Sequence, residues 1–222
     1  MAIVTVTILT ERVAVPTSPT KRQQQGENSR ELILDAAERL MATHGYAATA
    51  ISDIRKACGL PASSIYWHFG SKQGVLAAVM ERGAERFFGA IPRHGDTSEP
   101  PDVEVQLTVI AKLLSERPDF LRLVYLLGLE RTDDPAVGVA VRRVRDNAVA
   151  GFRAAIATLL PADVPPAKAV RVLDELAALA TAMSDGVFIA DHLEPDSTDV
   201  ERMYRRLLQA VTALLPILLE EE

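Results

Sequence analysis

Apolar residues recur along most of this chain at intervals of three and four, the spacing that lays one stripe along a helix. The first clear stripe is Leu32, Ile33, Ala36, Ala37, Leu40 and Met41. Asn28 or Ser29 stands where a cap belongs, with Glu31 three residues after Asn28 in capping-box register. Gly45 follows the last turn, where a left-handed residue closes a helix. A shorter pattern of Ile51, Ile54 and Cys58 is preceded by Thr49 as N-cap and ended by Gly59. Pro61 suits the first turn of a third helix, from about Ala62 to Phe69. After Gly70, Ser71 caps a fourth helix with Val75, Leu76, Val79, Met80, Gly83 and Phe87 on one side.

Residues 92–101, rich in Pro, Gly and Ser, predict a linker, and helical patterns fill the rest of the chain. Val103 to Ser115 reads as a helix, and Pro118 starts another that is apolar nearly all round, which places it in the core. Thr132 to Pro135 opens a long helix to about Leu160, with Arg142, Arg143 and Arg145 on its wet side. The segment 168–191 carries Leu173, Leu176, Ala180, Met183, Val187 and Ala190 at helical spacing. The segment 199–219 carries two stripes, one through Val200, Met203, Leu207, Ala210, Leu214 and Ile217, the other through Tyr204, Leu208, Val211, Leu215 and Leu218. Two stripes need two packing partners, one of which is either another chain or the same domain. Pro216 is expected to bend or end the last helix early. The expected fold is therefore all-α, divided into an N-terminal arm (1–28), a small helical domain (29–74) and a larger one (75–222). The opening VTVTIL alternates like a strand but has no second strand to pair with, so it is unassigned.

With 48% hydrophobic and 24% charged residues, the composition is that of a globular chain rather than a disordered one. Cys58 is the only cysteine, so no intrachain disulfide can form, which fits a reducing compartment. No basic side chain precedes the apolar first nine residues, and no apolar run approaches the roughly 18 residues of a membrane span. A cytoplasmic protein with no membrane partner is expected. The net charge of −6 argues against a polyanionic partner until its distribution is read. Residues 21–93 hold 10 Lys/Arg against 7 Asp/Glu, whereas residues from 94 onward hold 13 against 22. The basic excess lies where the short helices lie.

Two short helices joined by a tight glycine turn within residues 46–72 are the parts of a helix-turn-helix, whose second helix enters the DNA major groove. The residues go further than the layout. Thr49, Ile54, Gly59, Ser63-Ser64, the run Ile65-Tyr66-Trp67-His68-Phe69 and Lys72 closely resemble the DNA-binding domain of TetR-family transcriptional regulators, over residues 29–83.

The resemblance implies a homodimer that reads a palindromic DNA operator and is released, as a repressor, by a small apolar effector. It implies that Thr49 caps the second helix and touches phosphate, and that Ser63 and Ser64 face base edges. Tyr66, Trp67 and His68 would reach backbone or thymine methyls, and Lys72 would bind phosphate. Spacing independently puts Ile65 and Phe69 on one buried face. Tyr66 remains open to a rim or core role, and His68 to a capping role. Arg55 stands where the family has a small residue, and either reaches outward to phosphate or alters the packing. Lys21, Arg22 and Arg30 could touch DNA, though a disordered tail is the expectation for the arm.

The effector-binding candidates are Phe88, Tyr125, Phe152, Met183 and Phe188, with Asp185 and His192 as polar groups that would orient a ligand or bond across an interface. The dimer face is expected on 168–191 and 199–219, through Leu173, Leu176, Ala180, Met183, Val187, Leu207, Val211 and Leu214. The rival readings are a helical enzyme or a helical protein-interaction adaptor. A di-iron bundle needs Glu-x-x-His pairs, and none occurs. The histidines at 44, 68, 94 and 192 are isolated, so no metal, cofactor or catalytic residue is expected.

Overall fold

The computed structural model describes residues 21–92, 102–116, 118–129 and 135–221. The VTVTIL segment, most of the linker and Thr132 to Asp134 lie outside the described residues. Every described element is a helix: α1 (Lys21–His44), α2 (Ile51–Cys58), α3 (Ala62–Phe69), α4 (Lys72–Phe88), α5 (Val103–Glu116), α6 (Pro118–Leu129), α7 (Pro135–Ala157), α8 (Pro166–Leu193) and α9 (Val200–Glu220).

The first helix begins earlier than its expected cap. Residues 21–28, assigned to the arm, are helical, and the Ser29 hydroxyl donates to the Gln25 carbonyl inside the helix instead of capping it. The buried arc of α1 is also rotated. Leu34 is fully buried while Leu32 is 51% exposed, because α1 packs against α6 as well as α2, α3 and α4. Its end is as expected: Gly45 has φ +83° and its N–H donates to the Met41 carbonyl.

Helix α1 and the two short helices α2 and α3 form one unit around Ile33, Ile54 and Ile65, each at most 1% exposed. Gly59 makes the turn possible, since its φ of +71° lies in the left-handed region that L side chains avoid. Ser71 caps α4 as expected, accepting from the Gly74 N–H at 3.1 Å.

The larger unit is layered. α4 packs on α1 and α7, α7 on α8, α8 on α9, and α5 on α9. α6 lies in the core, with Phe120, Leu123, Val124 and Leu127 buried. Of the two stripes on α9, Tyr204, Val211, Leu215 and Leu218 face the protomer's own core together with Leu207. Pro216 does not end the helix, which runs on to Glu220. Proline at 216 removes the bond to the carbonyl of Thr212, but that residue is exposed, so water can serve the carbonyl.

Candidate nucleic-acid interface

Helix α3 has an inside and an outside. Ile65 is 1% exposed and pins the helix to the core, with Phe69 half-buried beside it. Tyr66 and Trp67 are 52% and 77% exposed, and Ser63 is exposed one turn earlier. A tryptophan with three quarters of its surface in water gives up burial worth about 2 kcal/mol or more, which singles it out as a contact surface. The Trp67 ring meets His68 edge-on, with centroids 4.6 Å apart and planes at 79°. His68 also lies 5.7 Å from the Phe69 ring, whose face is covered by the Arg30 guanidinium at 5.7 Å. Burial and then the nearby Arg30 charge hold the His68 pKa below its ordinary value, so its ring is neutral at pH 7. It offers a hydrogen bond rather than a charge.

Arg55 is exposed at the end of α2 and points outward, which resolves its alternatives without disturbing the helix packing. Lys56, beside it in the last turn and also exposed, was not singled out from the sequence, although its place next to Arg55 was visible there. Ser64 is half-buried, its N–H closing the first turn on the Pro61 carbonyl at 3.0 Å.

One expected role is corrected and another residue gains a further contact. Thr49 is not the cap of α2 and is not available to phosphate. It is 2% exposed and its hydroxyl donates to the Gly45 carbonyl at 2.8 Å, locking the α1–α2 turn. The cap position belongs to Ala50, whose N–H is taken by the Asp53 carboxylate at 3.1 Å. Lys72 is already engaged: its Nζ donates to the Ala47 carbonyl at 3.1 Å and lies 4.4 Å from the centroid of the Tyr46 ring. Partial burial lowers its pKa. Its position ties the start of α4 to the α1–α2 turn.

In the larger domain the effector candidates are spread through the core. Phe152 and Phe188 are buried, while Phe88, Tyr125 and Met183 are partly so. Tyr125 and Phe188 do come together, stacked at 4.9 Å and 23°, and His192 continues the stack at 6.2 Å. Asp185 is committed to this cluster, accepting from the Tyr125 hydroxyl at 2.8 Å and pairing with Arg145. Arg145 is therefore ion-paired while its side chain stays partly in solvent, and Arg142 and Arg143 are exposed as expected. Burial, followed by the Asp185 charge, raises the Tyr125 pKa strongly, so this hydroxyl stays protonated. A cleft of about 480 Å³ lies elsewhere, between α1, α2, α4 and the α5–α6 corner, and is lined by Leu32, Glu38, Arg39, Cys58, Arg86 and Asp119 among others.

The expected dimer residues need the largest correction. Leu173, Leu176, Ala180, Val187, Leu207 and Val211 are all at most 9% exposed within a single chain, and Met183 and Leu214 are half-buried. They hold α8 and α9 to the rest of the protomer. The large apolar residues left in solvent on these helices are others: Val170 (48%), Leu179 (37%), Ile189 (43%) and Leu193 (73%) on α8, and Met203 (37%) and Ile217 (52%) on α9. Exposed Ala178, Ala182 and Gly186 lie between them on α8. Helical spacing found both faces, and only the packing of α5 and α7 shows which one is already covered.

Residues 33–79 match the family model described as bacterial regulatory proteins, tetR family. The HTH-type transcriptional regulator AcrR of Shigella flexneri is 36% identical over 61 residues, 28% of this chain and 28% of the length of AcrR. The HTH-type transcriptional regulator TtgR of Pseudomonas putida is 28% identical over 188 residues, covering 81% of this chain and 88% of TtgR. The fold extends the likeness beyond the short domain. The SmeT–triclosan complex superposes with a TM-score of 0.64 at 23% identity, over 84% of this chain and 90% of that one. SmeT is described as a repressor of a Stenotrophomonas maltophilia multidrug efflux pump. The motif of residues 46–72 lies within the matched residues 33–79, so this chain carries a DNA-binding domain of the tetR-family type, and its described helices share the overall fold of SmeT.

Proposed function

We propose that the protein is a dimeric, DNA-binding transcriptional repressor that leaves its operator when a small, largely apolar molecule binds the larger domain. The observation that carries this reading is the division of α3, in which Ile65 anchors the helix while Ser63, Tyr66 and Trp67 face solvent. A helix fixed from behind and polar-aromatic in front suits the major groove, with exposed Arg55 and Lys56 on α2 set to contact the phosphate backbone. Such contacts set register, while Ser63, Tyr66 and Trp67 read base edges and thymine methyls. Lys72 and Thr49 support the face from beneath it.

A palindromic operator follows from a two-fold dimer, whose recognition helices would be about 34 Å apart. We place the dimer face on the solvent side of α8 and α9, through Leu179, Ala182, Ile189, Met203 and Ile217. Its support is the exposed apolar area on two adjacent helices, with small residues that permit close approach. For the effector, the support is the aromatic stack of Tyr125 and Phe188 inside the larger domain, together with a fold that in SmeT is found with triclosan. The reading places the protein in the cytoplasm, with DNA. No described helix is long and apolar enough to cross a membrane.

Selection of duplexes from a random pool tests the reading. Enrichment of a palindrome at low salt is expected, with affinity falling steeply as salt rises. A helical adaptor or enzyme would enrich no sequence, and that outcome would refute the proposal.

A further inference from the structure

One residue of α4 is placed unlike any other charged side chain in the described protein. Arg82 is 6% exposed, yet arginine is almost never buried unless it is paired. Its Nη1 donates to Glu31 at 2.8 Å and to Asp35 at 2.7 Å, and its Nη2 donates to Glu38 at 2.6 Å. Arg86, one turn on, donates to the same Glu31 oxygen at 2.7 Å. The three carboxylates stand at positions i, i+4 and i+7 of α1, along one face. Alone, such a stripe repels itself by a few tenths of a kcal/mol per pair, so it is favoured only when a cation is laid across it.

The next residue grips the other domain. A Cβ on Gly83 would come within 2.1 Å of the Phe120 ring, which is 1% exposed on α6. Neighbouring helical residues point about 100° apart, so at one level of α4 one side is held to α1 by charge and another lies tight against α6. α1 in turn carries α2 and α3.

We propose that Arg82 is a positioning residue for operator binding: its three-carboxylate clasp, with the Gly83–Phe120 contact beside it, fixes the angle between the helix-turn-helix and the larger domain. The inference rests on the DNA-binding reading above. Replacing a whole buried ion network by apolar residues is often neutral for stability, whereas its directional bonds specify one geometry. Glu31 and Asp35 are exposed enough for water to serve them when Arg82 alone is replaced. A guanidinium fixed by three acceptors sets the rotation and the height of α4 against α1. An apolar side chain of similar volume fills the space and sets neither.

The distinguishing property is that geometry between two recognition helices matters for a two-half-site operator and little for non-specific duplex. The test compares wild type, Arg82→Met and Glu38→Gln at 10 °C and 100 mM KCl, with helicity checked by circular dichroism. The duplexes are the selected operator and one of scrambled sequence. At least a tenfold loss of operator affinity is expected for Arg82→Met and a smaller loss for Glu38→Gln, with scrambled-duplex affinity within twofold of wild type. Equal losses on both duplexes, meaning simple loss of folded protein, would overturn the proposal, as would no loss on either. Should Arg82→Met fail to fold, Glu38→Gln and the more exposed Asp35→Asn read the same ratio and decide the matter. A wild type that binds no operator refutes the DNA-binding reading itself, a result separate from variants that match a binding wild type.

Discussion

Ile65 and Trp67 stand two residues apart on α3, one 1% and the other 77% exposed. This pair separates what holds the recognition helix from what it presents. Ile65→Ala should cost about 2–5 kcal/mol of stability through lost burial and the cavity left behind. Trp67→Ala should leave the thermal midpoint nearly unchanged, since exposed substitutions usually stay within about 0.5 kcal/mol. It should weaken operator binding roughly tenfold or more, as loss of a base contact does. Thermal melts and mobility shifts on both variants check the division, and a reversed pattern would refute it.

The close crossing of α4 and α6 predicts intolerance at Gly83. A methyl there would enter the Phe120 ring, and neither helix backbone can move without disturbing buried Phe87 and Leu123. Gly83→Ala should destabilise the protein by about 1–3 kcal/mol in urea unfolding, the usual cost of overpacking. Adding Phe120→Leu should recover part of that loss by making room.

The dimer face predicts a contrast between two pairs of leucine and isoleucine positions. Leu179→Glu or Ile217→Glu should leave a folded protomer that sediments as a monomer and binds operator poorly. Leu176→Glu or Leu207→Glu places a charge in the core, where both side chains are at most 2% exposed, and should prevent folding altogether. Sedimentation velocity beside circular dichroism distinguishes these outcomes. A dimer that survives both surface charges would move the interface elsewhere.

His68 contributes a pH dependence of known sign. Its folded pKa lies below the ordinary 6.5 because burial, then Arg30, disfavours the charged ring. Above that value both folded and unfolded chains carry neutral imidazole, so the stability is fully present. As pH falls below it, the unfolded chain takes up a proton first, and stability declines until the folded pKa is passed. Stability measured from pH 7 to pH 5 should fall less in His68→Gln than in wild type. An identical slope would show that the ring is not held neutral.

Much of this was legible in the sequence, and the failures share a cause. Helix-turn-helix geometry follows from local signals: Gly59, Pro61, Ser71 and the four-residue spacing of Ile65 and Phe69 each act within one or two turns. The core of α9 did not follow, because Tyr204 and Met203 are neighbours that spacing alone treats alike, and only packing against α5 and α8 buries the former. Thr49 was misassigned for a related reason. A threonine before a helix satisfies the capping pattern, but its hydroxyl found the Gly45 carbonyl and left the cap to the Ala50 backbone and Asp53. The acidic stripe of Glu31, Asp35 and Glu38 was written in the sequence, while its partner, some fifty residues away, is evident only from the fold.

Trp67 is the only tryptophan in the chain, and it stands in the middle of the face assigned to DNA. Its fluorescence therefore reports on that face without any label. Titration of the wild-type protein with its selected operator should quench and blue-shift the emission, saturating at one palindromic duplex per dimer and reversing as salt is raised. Operator binding seen by mobility shift with tryptophan emission unchanged would contradict the account, because DNA would then be held by some other surface.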